Sequence, residues 1–124
     1  MWNDVGVIRD AMGLNRGLDN LEAIESELLA TGVADGDRAF NLTWHDWLNL
    51  RSLVEVSKVI TRAALARENS RGAHFREDFP GEGDLETSTY TVARQRDGAL
   101  DLTNEPVKFT IVRPGQSLLK EAAE

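Results

Sequence analysis

The stretch TWHDWLNLRSLVEVSKVITRAALAREN, residues 43–69, contains neither glycine nor proline and predicts one long helix. Thr43, followed three residues later by Asp46, resembles a capping box at the start of this helix. Apolar side chains cover most of its circumference, and a narrow strip is consistently charged: Arg51, Glu55 and Lys58. These spacings permit ion pairs within the helix. We therefore expect a central helix with neighbours on at least two faces and with Trp47 and Val54 in the core.

Two further helical stretches precede this one. Apolar residues recur at helical spacing, first at Trp2, Val5, Ile8 and Met12, then at Leu14, Leu18, Leu21, Ile24 and Leu28. Gly13 and Gly17 predict a break between the two stretches, and Gly32 is a natural end for the second. Residues 34–38, Ala-Asp-Gly-Asp-Arg, predict a turn-rich loop before the long helix.

The pattern changes after Gly72. Residues 87–93 and 106–112 are rich in β-branched and aromatic residues and predict strands. Arg96-Asp97-Gly98 predicts a hairpin turn, followed by a short strand over residues 99–102. The sequence thus predicts a mainly α chain, with a three-helix bundle over about residues 1–72 and a loop and β tail over about residues 73–124.

Composition restricts the function of this chain of 124 residues. The charge is −7, which disfavours contact with phosphate backbones, so we expect no nucleic-acid partner. No apolar run is long enough to span a membrane, and the first residues lack the pattern of a secretory signal. The absence of cysteine excludes disulfides and zinc–thiolate sites and fits a reducing, cytoplasmic location.

The sequence carries no recognisable catalytic or cofactor motif. Gly81-Glu82-Gly83 lacks the third glycine of a dinucleotide loop, and acidic residues crowd it. His45 and His74 have no metal-ligand spacing, and the acidic residues near 78–86 do not match a calcium loop. We therefore expect no catalytic, cofactor-binding or metal-binding residues in this chain.

One basic segment interrupts the acidic background. Residues 62–76 contain four arginines (Arg62, Arg67, Arg71 and Arg76) and His74 against a single acid, Glu68. The default interpretation is that cations compensate the negative end of the helix dipole and bond the last carbonyls. Two alternatives are a docking surface for another domain and an anion site for a small carboxylate.

Two parts of the chain together resemble a known family. Residues 49–56 and 62–80 resemble the C-terminal part of the flavoprotein subunits of succinate dehydrogenases and fumarate reductases, and L-aspartate oxidases share much of this pattern. The most specific piece is Ser70-Arg71-Gly72-Ala73-His74 followed by Asp78 and Pro80. Residues 1–9 look nearer to the aspartate-oxidase version, whereas residues 106–109 look more like the dehydrogenase ending. The resemblance extends from residue 1 to about residue 119.

The resemblance implies a non-catalytic helical domain that buttresses the FAD-binding domain of the same parent chain. It implies a spectrin-repeat-like three-helix bundle, FAD in the parent but not in this chain, and a surface for an iron–sulfur subunit. The parent would act on a dicarboxylate, at the cytoplasmic face of the membrane. Met1 corresponds to an internal residue of the family, so we expect an excised domain.

With the resemblance, docking against the FAD-binding domain becomes the leading interpretation of Arg71, His74, Arg76 and Asp78. Arg67 is then expected to compensate the helix dipole. We expect Arg71, His74 and Arg76 to be exposed in this chain or paired with a second copy of it. Two alternatives stay open: the C-terminal domain of an L-aspartate oxidase, and an independent module that binds a partner helix.

Overall fold

The computed structural model describes residues 1–117, which form two compact units, Met1–Pro80 and a second that starts at Gly81. The elements are α1 (Trp2–Val5), β1 (Ile8–Arg9), α2 (Ala11–Thr31), α3 (Leu42–Ala66), β2 (Phe75–Arg76), β3 (Thr89–Arg96) and β4 (Ala99–Pro106). The chain is thus mainly α with a small antiparallel sheet, as predicted. Residues 118–124 of the predicted tail lie outside the described residues.

The long helices α2 and α3 form an antiparallel pair in the first unit. Lys58 Nζ lies 2.6 Å from Glu25 Oε2, and Trp47 Nε1 donates to Leu28 O at 3.1 Å. A core of small and branched side chains lies between these helices and α1: Val5, Leu14, Leu21, Val54, Ser57, Thr61 and Ala64 are buried. The expectation for Val54 is confirmed, while Trp47 is half-buried.

The start of the chain differs from the prediction. The first predicted helix is wrong beyond Val5, because residues 8–9 are extended and pair in parallel with β2. The predicted break at Gly13 and Gly17 is also wrong, since α2 continues through both glycines. Asp10 caps this helix by accepting a hydrogen bond from the Gly13 N–H at 2.6 Å, and both glycines are buried.

The long helix α3 is confirmed, but its capping and its surroundings differ from the prediction. Asn41, not Thr43, is the N-cap, and its side chain accepts a hydrogen bond from the Trp44 N–H at 2.8 Å. Lys58 pairs with α2 rather than along its own helix. The expectation of a central helix is not met on one side of α3, because Leu53 and Val56 are more than half exposed.

The second unit contains an antiparallel hairpin. Strands β3 and β4 pair from Thr89↔Pro106 to Arg96↔Ala99, and Asp97 and Gly98 both have positive φ, which confirms the predicted turn. The strand predicted over residues 106–112 is wrong. The two-residue turn sets the register, so β4 reaches the first residue of β3 at Pro106 and ends there.

In residues 1–117, no helix is long and apolar enough to cross a membrane.

Candidate docking site

The four residues predicted to dock another domain lie on one loop that follows α3. Arg71 and His74 exchange backbone hydrogen bonds of 2.9 and 3.0 Å across a tight turn. Gly72 lies inside this turn with φ +56, a conformation that glycine adopts without strain. The turn reverses the chain after α3 and directs residues 75–76 toward β1.

Arg76 lies inside the first unit with 1% of its side chain exposed. Its Nη1 is within 2.9 Å of Ala64 O, 3.0 Å of Leu65 O and 3.1 Å of Arg67 O. These are carbonyl groups at the end of α3 that have no partner within the helix. A guanidinium at this position also compensates the negative end of the helix dipole.

Asp78 completes the pairing of Arg76. Its Oδ1 accepts from Arg76 Nε, and its Oδ2 accepts from Arg76 Nη2, both at 2.7 Å. Oδ2 also accepts from the Ala11 N–H at 3.0 Å, at the start of α2. The hydrogen bond from Arg76 lowers the pKa of Asp78 to about 2, and the same bond raises the pKa of Arg76. Asp78 therefore ties the end of α3 to the beginning of α2.

Ser70 and Phe79 fix the loop around Arg76. The Arg76 N–H donates to Ser70 Oγ at 2.8 Å, and the Ser70 hydroxyl donates to Phe79 O at 2.8 Å. The guanidinium carbon of Arg76 lies 4.9 Å from the centre of the Phe79 ring, within the range of a cation–π contact. Ser70 and Phe79 both lie within the Ser70–Pro80 motif, but their spacing in the sequence does not predict these contacts.

The surroundings of His74 are positively charged. The side chain is half-buried, and its Nε2 lies 3.4 Å from Arg67 O. Burial lowers the pKa of His74, and the charges of Arg9, Arg67 and Arg76 lower it further, against the hydrogen bond to the Arg67 carbonyl. Arg9 lies in the segment of residues 1–9 that resembles the family, but no spacing or charge pattern in the sequence marks it as part of the site.

The structure divides the four predicted residues into two pairs. Arg76 and Asp78 bond to the first unit itself, so the expected exposure of Arg76 is wrong. Arg71 and His74 are half-buried on the turn, less open than expected. Arg76, not Arg67, bonds the helix carbonyls, while Arg67 Nε donates to Asn69 Oδ1 at 2.7 Å. Docking through these four residues stays a prediction.

The side chains of this loop are suited to binding acidic groups. Guanidinium and imidazole groups can hold carboxylates or backbone carbonyls by charge-assisted hydrogen bonds. Among residues 1–117, no three histidine or acidic side chains come together in a way that could hold a metal ion.

Comparison with known proteins gives matches over nearly the whole chain. The family described as fumarate reductase flavoprotein C-term matches residues 1–119. A fumarate reductase flavoprotein subunit from Mycobacterium tuberculosis is 33% identical over 112 residues, which cover 90% of this chain and 19% of that protein. L-aspartate oxidase 1 from Ralstonia nicotianae is 38% identical over 80 residues, covering 64% of this chain and 14% of the relative.

A solved structure shows the same fold. FrdA of the quinol fumarate reductase from E. coli superposes with a TM-score of 0.79 at 26% identity, over 90% of this chain and 20% of that one. The chain thus spans about a fifth of the length of the relatives it matches. Since the family match covers almost every residue, the chain belongs to the C-terminal family of succinate dehydrogenase and fumarate reductase flavoproteins, which includes L-aspartate oxidases.

Proposed function

We propose that this chain is the non-catalytic C-terminal helical domain of an FAD-dependent oxidoreductase of the succinate dehydrogenase/fumarate reductase type. Its role is to buttress the FAD-binding domain of the same polypeptide. The match to about a fifth of the Mycobacterium and E. coli proteins supports this proposal, because the remaining four fifths of those proteins have no counterpart in the chain.

The observation that carries the proposal is an exposed apolar stripe on α3. Leu53 is 62% exposed, Val56 is 55% exposed and Ile60 is 49% exposed. Positions 53, 56 and 60 lie on one side of a helix, next to the arc that packs on α2. Exposed apolar surface of this kind marks an interaction site in soluble proteins. The stripe is the surface on which we place the FAD-binding domain.

The loop after α3 adds polar contacts to this docking surface. Arg76 and Asp78 hold the loop in place, and we expect the half-buried Arg71 and His74 on the turn to contact the neighbouring domain. In the complete protein, we expect the helices to take part in a spectrin-repeat-like bundle. FAD would bind outside this chain, and an iron–sulfur subunit would be a further partner at the cytoplasmic face of the membrane.

The parent enzyme would interconvert succinate and fumarate. These reactions transfer two electrons between a flavin and a dicarboxylate, and this chain would contribute no reacting group to either direction. A second candidate is an L-aspartate oxidase, favoured by the 38% identity to the Ralstonia protein of that name. The two candidates differ in substrate, which residues outside this chain would select.

The reading frame that encodes residue 1 gives a direct test. The proposal expects several hundred codons upstream, with a Gly-x-Gly-x-x-Gly motif for the FAD-binding domain. A ribosome-binding site and start codon at Met1 would instead support an independent module that binds a partner helix through the stripe.

Flavin retention in the complete flavoprotein tests the role of the stripe. Leu53→Asp should leave the melting temperature of the isolated chain nearly unchanged, because the side chain is exposed, and should increase flavin release from the complete protein. The control is Asn20→Asp, which adds the same charge at an exposed position of α2. Equal flavin retention in wild type and both variants would show that the stripe does not support the flavin domain.

A further inference from the structure

Arg9 lies beside Arg76 in a short parallel ladder. Strand β1 pairs with β2 in the register Ile8↔Phe75 and Arg9↔Arg76. The Phe75 N–H donates to Val7 O at 3.1 Å, and the Glu77 N–H donates to Arg9 O at 2.9 Å. Because paired residues of neighbouring strands project to the same face, the ladder brings two guanidinium groups together.

The two arginines differ in their partners. Arg76 has two bonds to the Asp78 carboxylate and three contacts with helix carbonyls. Arg9 is half-buried, and its Nε is buried without a hydrogen-bond acceptor among residues 1–117. Asp78 bonds Arg76 and the Ala11 N–H, and no hydrogen bond or ion pair joins it to Arg9 in the described part of the chain.

The charges around Arg9 make its position unfavourable. Burial lowers the pKa of Arg9, and the neighbouring charge of Arg76 lowers it further. The charge of Arg9 in turn acts on His74. Cations that are partly removed from water are normally matched by an anion, because the loss of hydration is otherwise uncompensated. The Arg9 guanidinium is thus suited to bind an anion. In the described residues, the first unit provides no acidic group that pairs with it.

We propose that Arg9 is the receptor for a carboxylate that comes from outside this chain. A guanidinium presents a planar fork of donors that matches the two oxygens of a carboxylate. This inference rests on the proposed function for the source of the group, an Asp or Glu side chain of the FAD-binding domain. A free dicarboxylate has the same chemistry and is distinguished by the experiment.

The experiment titrates the chain of residues 1–124 with sodium acetate and with sodium succinate, at constant ionic strength set with sodium chloride. Two signals are followed: the NMR cross-peak of the Arg9 Nε–Hε group and the melting temperature. Acetate is the probe for a side-chain carboxylate, and succinate is the probe for a free dicarboxylate. The variants are Arg9→Met and, as the control with the same change of charge, the exposed Arg38→Met.

We expect acetate to shift the Arg9 cross-peak saturably and to raise the melting temperature of wild type and Arg38→Met, but not of Arg9→Met. Without added carboxylate, Arg9→Met should melt higher than wild type by about 4 °C or more, since an unmatched, half-buried charge is removed. An Arg9 cross-peak that does not move when acetate replaces chloride would overturn the proposal. This measurement needs the wild type alone.

Succinate distinguishes the two sources. If succinate and acetate shift the Arg9 cross-peak equally at the same concentration of carboxylate groups, the result supports a receptor for a protein side chain. Saturation at concentrations far below those of acetate would overturn that source and identify a free dicarboxylate as the ligand. Neither result depends on flavin release from the complete protein, so the carboxylate receptor and the buttressing role fail or succeed separately.

Discussion

Gly17 of α2 lies directly against Val5 of α1. A Cβ atom on Gly17 would stand 2.8 Å from Val5 Cγ2 and 3.4 Å from the Cβ of Asp4. The contact lets the first turn of the chain lie flat on α2, and it buries Val5 beside Leu14 and Ala64 in the core. The absence of a side chain at Gly17 is therefore a packing requirement.

Gly17→Ala should destabilise the chain by about 1–3 kcal/mol, although alanine is the better helix former. Val5 is β-branched and buried, so its methyl group has little freedom to move away. The free energy of unfolding in urea measures the effect. Gly36→Ala is the control, because a Cβ at Gly36 has open space around it, and it should change stability little. A Gly17→Ala chain more stable than wild type would show that α1 is not held by this contact.

Arg76→Ala should destabilise the chain by about 1–3 kcal/mol, because it leaves buried carbonyl groups at the end of α3 without their donor. Arg76→Lys should recover only part of this loss, since an ammonium cannot bond both Asp78 oxygens and the helix carbonyls together. Urea unfolding of both variants measures the difference.

Arg71→Ala provides the comparison for Arg76. Arg71 lies half-buried on the turn, so the change should alter the unfolding free energy by no more than about 1 kcal/mol. An Arg71→Ala chain that unfolds more readily than Arg76→Ala would mean that the turn, rather than the buried guanidinium, holds the loop to α3.

The long helix α3 and the Asp97-Gly98 turn follow from local sequence, because both depend on neighbouring residues. The continuation of α2 through Gly17 does not, since its cause is contact with Val5 across the fold. The end of β4 at Pro106 depends on a register that the turn sets. Residues 107–112 are rich in β-branched side chains, so propensity alone predicts a strand there.

The candidate site was only partly predictable for a similar reason. The density of arginines in residues 62–76 was visible, but which arginine turns inward depends on a contact between residues 67 positions apart, Ala11 and Asp78. Arg9 joins the site through the pairing of β1 with β2. The sequences of β1 and β2 contain no local pattern that predicts a parallel ladder of two residues.

Phe40→Gly should stabilise the chain by about 0.5–1 kcal/mol. Phe40 has φ +56 and is fully exposed, so its side chain gains no packing that would offset the left-handed backbone. This conformation costs about 1–2 kcal/mol for a residue with a Cβ. Glycine avoids this cost, but its greater freedom in the unfolded chain offsets part of the stabilisation. Phe40→Ala keeps the Cβ and should show no such gain in urea unfolding. Equal stability of the two variants would show that the backbone at residue 40 is not strained.

Acid should weaken the chain through Asp78. Its pKa is lowered from 3.8 to about 2 in the folded state by the hydrogen bond from Arg76. A carboxyl with a depressed folded pKa contributes stability that is fully present above its unfolded pKa and is lost as the pH falls through the folded one. The contribution should therefore be constant above about pH 5 and should disappear between about pH 4 and pH 2.

The variant Asp78→Asn isolates this contribution, because the amide keeps the size of the side chain and does not titrate. Wild type should be more stable than Asp78→Asn at pH 6, and the difference in unfolding free energy should shrink steadily below pH 4. Glu55→Gln is the matched control: Glu55 is exposed on α3, so its removal should leave the acid dependence of wild type in place. If the difference between wild type and Asp78→Asn stayed constant down to pH 2, the Arg76–Asp78 pair would not depend on the charge of the carboxylate. The contact that Asp78 makes between α2 and the end of α3 would then be stabilised by hydrogen bonding alone.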